Sequence, residues 1–446
     1  MVSAVEQLSK NANWGAFSKA TELKQRIMFV LGAILVYRLG SYIPVPGIDP
    51  LAWSQVFAQK GGGILDMFNL FSGGALERMT IFALNIMPYI SASIIVQLAT
   101  SLVPQLESLK KEGEQGRVKI NQYTRFLTVF LAAIQAYGLA VGLENIPAGE
   151  AGSPVIDPGM FFRISTVITI VGGTVFLMWL GDQITRRGIG NGISLIIFAG
   201  IVAQLPRAFG ATLELGRQGQ FSMVMLLVIA VLILAVITFI VFMERAQRRI
   251  VIQYPKRQAG NRMMQADSNH IPLKLNISGV IPPIFASSLL MLPTTIFAFG
   301  GLAGTDWEVF LGHFRHGQPA FMLAYALLIS FFCFFYTAIV FNPEENAEML
   351  RRNGGFIPGI RPGKSTADYF DYVMTRITVL GAAYLVFICL LPEFLIAKFA
   401  MPFSFGGTSL LIVVSVTMDT VGQIQSHMIA HQYEGLIRKA KLKGKM

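Results

Sequence analysis

The sequence predicts an all-α polytopic membrane protein with ten transmembrane helices. Three observations carry that reading. Of 446 residues, 53% are hydrophobic and only 14% are charged, against about 25% charged in a soluble domain. Ten apolar runs approach the ~20 residues a helix needs to cross a bilayer. The basic residues fall into alternate inter-run segments, the topology signal of a multi-span chain.

The chain opens with a polar segment, residues 1–23, that lacks the order of a cleavable signal peptide. The runs then lie near residues 26–45, 75–98, 122–142, 158–181, 189–206, 221–243, 274–299, 319–341, 374–393 and 406–426. The fifth is short and opens on Gly188, Gly190 and Gly192. A basic tail, 427–446, closes the chain. Of the 36 Lys and Arg residues, 28 lie at the termini and in the even-numbered loops, and 5 lie in the odd-numbered ones. Both termini are therefore expected on the cytoplasmic side.

Before the second run lies a shorter one holding Ile64, Leu65, Met67, Phe68, Leu70 and Phe71, which ends at Ser72-Gly73-Gly74. It is roughly half a span long. Its backbone must be satisfied inside protein rather than against lipid. The run that follows carries Asn85, Pro88, Ser91, Ser93 and Gln97. A half-helix feeding a polar-dotted span points to a conduit.

Two loops, about 244–274 and 342–376, concentrate positive charge. The first holds Arg248, Arg249, Lys256 and Arg257, and the second holds Arg361 in Phe356-Ile357-Pro358-Gly359-Ile360-Arg361-Pro362-Gly363. Ordinary topology charge is one reading. Docking to a large acidic partner, ribosomal RNA or a motor protein, is the other. Arg361 favours the second, because Pro and Gly fix a turn that presents one guanidinium.

Enzyme and metal constellations are missing from the sequence, and no residue set for a cofactor stands out. Cys333 and Cys389 sit inside apolar runs and read as small hydrophobes. The run interiors are nearly free of Asp and Glu. That counts against the alternative function, a secondary transporter with inverted repeats, which would place ionisable groups at mid-membrane. Isoleucine pairs recur at helical spacing: Ile86 with Ile90, and Ile193 with Ile197. Such pairs are usually lipid-facing or core. The runs that carry them, with Ile281 and Ile284 in the seventh, also carry Gly, Pro and small polar residues.

The order Met67–Gly74, Ile86–Ile95, Gly188–Ser194, Arg248–Arg257, the Phe356–Gly363 turn and Phe405–Leu411 closely resembles the SecY family of protein-conducting channels of bacterial secretion. The resemblance runs from about Lys24 to Lys439. It implies two pseudo-symmetric inverted halves, residues 24–206 and 221–426, joined by an external hinge loop at 207–220, around a central hourglass pore in the bacterial inner membrane. It implies a plug at about 62–71 and a pore ring of Ile86, Ile90, Ile193, Ile197, Ile284 and Ile412. A lateral gate between spans two, three, seven and eight would be latched by Ser91, Gln135 and Asn276, with Pro88 and Pro282-Pro283 weakening the helices at that seam. The basic loops would bind the SecA motor and the ribosome, and SecE and SecG would be partner subunits. Signal sequences, nascent chains and membrane lipid complete the implied partners. Asn85 stands where the family pattern implies glycine.

Overall fold

The computed structural model describes residues 21–60, 69–146, 153–218, 223–254, 258–259, 262–263, 268–299, 318–399 and 407–443. Each of the ten apolar runs carries a helix. In chain order the helices are α1 (Thr21–Gly40), α2 (Pro50–Lys60), α3 (Met87–Leu102), α4 (Pro104–Lys111), α5 (Glu114–Glu144), α6 (Met160–Arg187), α7 (Gly192–Arg217) and α8 (Met223–Arg245). Strands β1 (Gln247–Gln253), β2 (Gln258–Ala259), β3 (Arg262–Met263) and β4 (Ser268–Lys274) follow. Then come α9 (Ile281–Phe299), α10 (Pro319–Val340), α11 (Pro343–Arg352), α12 (Lys364–Phe399) and α13 (Gly407–Lys443).

Among the described residues, seven helices are long and apolar enough to cross a membrane, and an eighth counts if α3 and α4 form one span. α8 is the extreme case. It is apolar on every side and mostly exposed, as a lipid-facing helix is. The pair α3–α4 bends by 96°. Val103 at the bend is extended, the conformation favoured before a proline, and Pro104 opens α4.

The second apolar run is not one helix. Residues 75–86 are turns, and α3 starts only at Met87. The physical reason is a backbone partner that hydropathy does not see. Val45 N–H donates to Met79 O (2.9 Å), Ile81 N–H donates to Ile43 O (3.0 Å), and Trp53 Nε1–H donates to Leu76 O (2.9 Å). With those groups paired, the stretch stays buried without being helical. Pro88 therefore falls in the first turn of α3, where its missing donor costs nothing. Pro282 and Pro283 likewise fall in the first turn of α9. These prolines begin helices; they do not weaken them.

The chain divides into two compact units, one of Met1–Gly210, Met291–Glu308 and Val416–Met446, the other of Ala211–Leu290 and Val309–Ser415. In the first, α3 packs on α5, α5 on α6, and α1 on α6. Gly181 and Gly192 let α6 and α7 approach closely, since a Cβ at Gly192 would sit 2.0 Å from the Gly181 carbonyl. In the second, α12 packs on α10 and α11, and β1 pairs antiparallel with β4 from Gln247↔Lys274 to Gln253↔Ser268.

Candidate functional site

The end of the expected plug is a short helical turn at residues 69–72, followed by Gly73 and Gly74 at φ +67° and +84°. Leu70 and Phe71 are buried; Ile64, Leu65, Met67 and Phe68 lie outside the described residues. A helical turn leaves its last carbonyls unpaired. Here three consecutive ones are taken by side chains from elsewhere. Asn85 Nδ2 donates to Phe71 O (2.6 Å), Tyr37 Oη to Ser72 O (3.1 Å), and Arg38 Nη1 to Gly73 O (3.1 Å). Asn69 holds the other edge. Its Oδ1 accepts from Glu77 N–H (3.0 Å), and Glu77 pairs with Arg207 of α7 (3.4 Å). Gly200 of α7 lies so close that a Cβ there would stand 2.6 Å from Phe71 O. We call residues 69–74 the stem.

Ile86 is the N-cap of α3, and Ile90 N–H donates to its carbonyl (3.1 Å), so both belong to one turn. Both are buried, as is Ile197 on α7. Ile193 is half-buried and packs towards Gly181 of α6. Ile284 on α9 and Ile412 on α13 are buried in the second unit.

Of the expected gate residues, Ser91 on α3 and Gln135 on α5 are buried on helices that pack together. Gln135 Oε1 has no hydrogen-bond partner among the described residues. Asn276 departs from expectation. Both of its amide donors are spent inside its own unit, on Glu244 Oε1 (2.7 Å) and Gly279 O (3.1 Å), while its Oδ1 accepts from Ser278 Oγ (3.1 Å). An amide has two donor hydrogens and an oxygen with two lone pairs, so a further bond at Asn276 would be one that Oδ1 accepts. The cause is local: Leu275 N–H bonds to Ala246 O at 2.9 Å, which brings the end of β4 back beside the end of α8 and its carboxylate.

The two basic loops form one body. Gln253 and Phe356 exchange both backbone bonds (2.9 and 3.0 Å), adding the second loop to the edge of β1. Beneath lies an apolar core of Ile250, Ile252, Leu273, Leu350, Ile357 and Phe370. Arg248 and Arg249 are exposed on β1. Ile360 N–H closes a turn on Ile357 O (3.1 Å) with Gly359 at φ +83°, and Arg361 follows it, exposed and without an ion pair among the described residues. Pro at the second and Gly at the third turn position suit that geometry. Thr366 Oγ1 pins the Arg361 carbonyl (2.9 Å). Lys256 and Arg257 lie outside the described residues. The residues the sequence reading missed are Tyr37, Arg38 and Glu244. The only sequence signal for Arg38 was a charge inside an apolar run.

The SecY family pattern matches residues 80–421, three-quarters of the chain. The chain belongs to the SecY family. It is 56% identical over 425 residues to the protein translocase subunit SecY of Escherichia coli K12, covering 95% of this chain and 96% of that one. It is 53% identical to the same subunit of Rickettsia conorii, over 96% of this chain and 99% of the relative. In fold it is similar to a solved protein-conducting channel (TM-score 0.65, 17% identity, 90% and 92% of the two chains) and to canine Sec61 in a ribosome–channel complex (TM-score 0.63, 17% identity, 90% and 92%). SecY-family membership places the chain among channel subunits, not enzymes.

Proposed function

We propose that this chain is the channel subunit of a bacterial protein translocase. It passes unfolded secretory polypeptides across the inner membrane and releases transmembrane segments sideways into lipid. The observation that carries this is 56% identity to a translocase subunit over nearly the whole of both chains. The geometry is consistent with it: irregular backbone inside an apolar run is tolerated only where protein or a cavity surrounds it, and residues 69–86 are such a stretch.

The residues take these roles. Ile86, Ile90, Ile193, Ile197, Ile284 and Ile412 supply stiff β-branched apolar groups for a constriction that dewets and opposes ions. Such a ring forms no specific bonds to the passing peptide, so it is blind to sequence. The stem carries the plug at 62–71. Ser91 and Gln135 line the lateral gate; Asn276 serves it by bracing the entry to α9. Arg248, Arg249, Lys256, Arg257 and Arg361 face the cytoplasm, with both termini, and dock the SecA motor or the ribosome. SecE and SecG are the partner subunits.

The test is reconstitution with those subunits in proteoliposomes, adding SecA, ATP and an unfolded preprotein. Protease-protected preprotein is the expected result. Uptake of a small solute under an ion gradient, with the preprotein left outside, would support the transporter instead.

A further inference from the structure

Asn85 has a left-handed backbone at φ +50° and is buried immediately before Ile86. Glycine adopts that conformation without strain, and asparagine is among the few other residues that tolerate it. Glycine there would also delete a cost. Asn85 Oδ1 is buried with no hydrogen-bond partner among the described residues, and an unpaired buried acceptor is destabilising. What the side chain adds is its other end, the Nδ2 bond to Phe71 O at 2.6 Å.

That bond differs in its anchorage from its two neighbours. Tyr37 and Arg38 tie Ser72 O and Gly73 O to α1. Asn85 ties Phe71 O to the turn that runs directly into Ile86 and α3. The stem is thus held to the first helix by two bonds and to the neighbour of Ile86 by one.

Resting on the channel reading above, we propose that Asn85 is a positioning residue of the resting channel. Its amide couples the place of Phe71 to that of Ile86 and sets how strong a signal sequence must be to open the channel.

The test compares wild type, Asn85→Gly, Asn85→Asp and a deletion of residues 62–71, each purified with its partner subunits. Asn85→Gly keeps the backbone geometry and removes the donor. Asn85→Asp keeps the size and turns an acceptor towards the Phe71 carbonyl. Resting conductance in planar bilayers should rise about threefold to tenfold for Asn85→Gly, the range set by one net hydrogen bond, and at least as far for Asn85→Asp. Hydrogen exchange across residues 69–76 should quicken, export of a preprotein with a weakened signal sequence should improve, and the melting temperature of Asn85→Gly should hold. If the deletion leaks while both point variants conduct and select like wild type, the proposal is overturned. A leak matched by a fall in melting temperature in both variants marks a merely structural role and overturns it too. If no preprotein crosses in any version and the deletion does not leak, it is the channel reading that has failed.

Discussion

The stem at residues 69–74 and the basic cap built from β1, β4 and the turn at 356–363 both turn on glycines with positive φ. They hold their shape by different means. The stem is fixed by polar side chains reaching single carbonyls: Asn85, Tyr37 and Arg38 each supply one bond. The cap is fixed by an antiparallel ladder over an apolar core that includes Ile250, Leu350 and Phe370. Single hydrogen bonds contribute about 1 kcal/mol net each; a buried phenylalanine contributes several. In the proposed channel the stem gives way and the cap bears a partner; the first kind of restraint suits the one role and the second suits the other.

Four experiments press on that contrast. Deleting residues 62–71 should have the largest effect, a resting conductance raised by about tenfold or more, with normal protein abundance because the segment is too short to span. Wild-type conductance in a planar bilayer would remove the stem from the barrier. Arg361→Glu should cut SecA-driven export by about tenfold while leaving resting conductance alone, since charge reversal at a docking surface repels the partner rather than unfolding the protein. Normal export by vesicles carrying this variant would return Arg361 to ordinary topology charge. Phe370→Ala should cost about 3–5 kcal/mol of local stability; limited proteolysis should then open the cap loops, with no ion leak. A leak here would mean that the two regions are not independent. Gly359→Ala should be mildest, a loss of about 1 kcal/mol from forcing a Cβ into a left-handed turn, read as a few-fold weaker SecA affinity.

Much of the helical framework was legible, because an apolar run near 20 residues has few other fates. The second run shows the limit. Hydropathy reads 75–98 as one span, yet the pairing of Val45 and Ile81 with backbone across residues 43–79 leaves 75–86 non-helical. Pro88 is itself a legible sign of a helix start. The partner of Asn276 was hidden for a related reason: Glu244 is 32 residues away, and only the fold of the hairpin brings them together. The cap's core is present in the sequence as alternating Ile250 and Ile252, among arginines that mark the segment by its charge.

Gly200 carries a genetic consequence. Any side chain there collides with the Phe71 carbonyl and crowds the Tyr37 hydroxyl, although alanine is the better helix former. The lesion therefore passes over the helix that bears it and lands on the stem. A search for conditional alleles, sound at one temperature and leaky at another, should find position 200 a productive target.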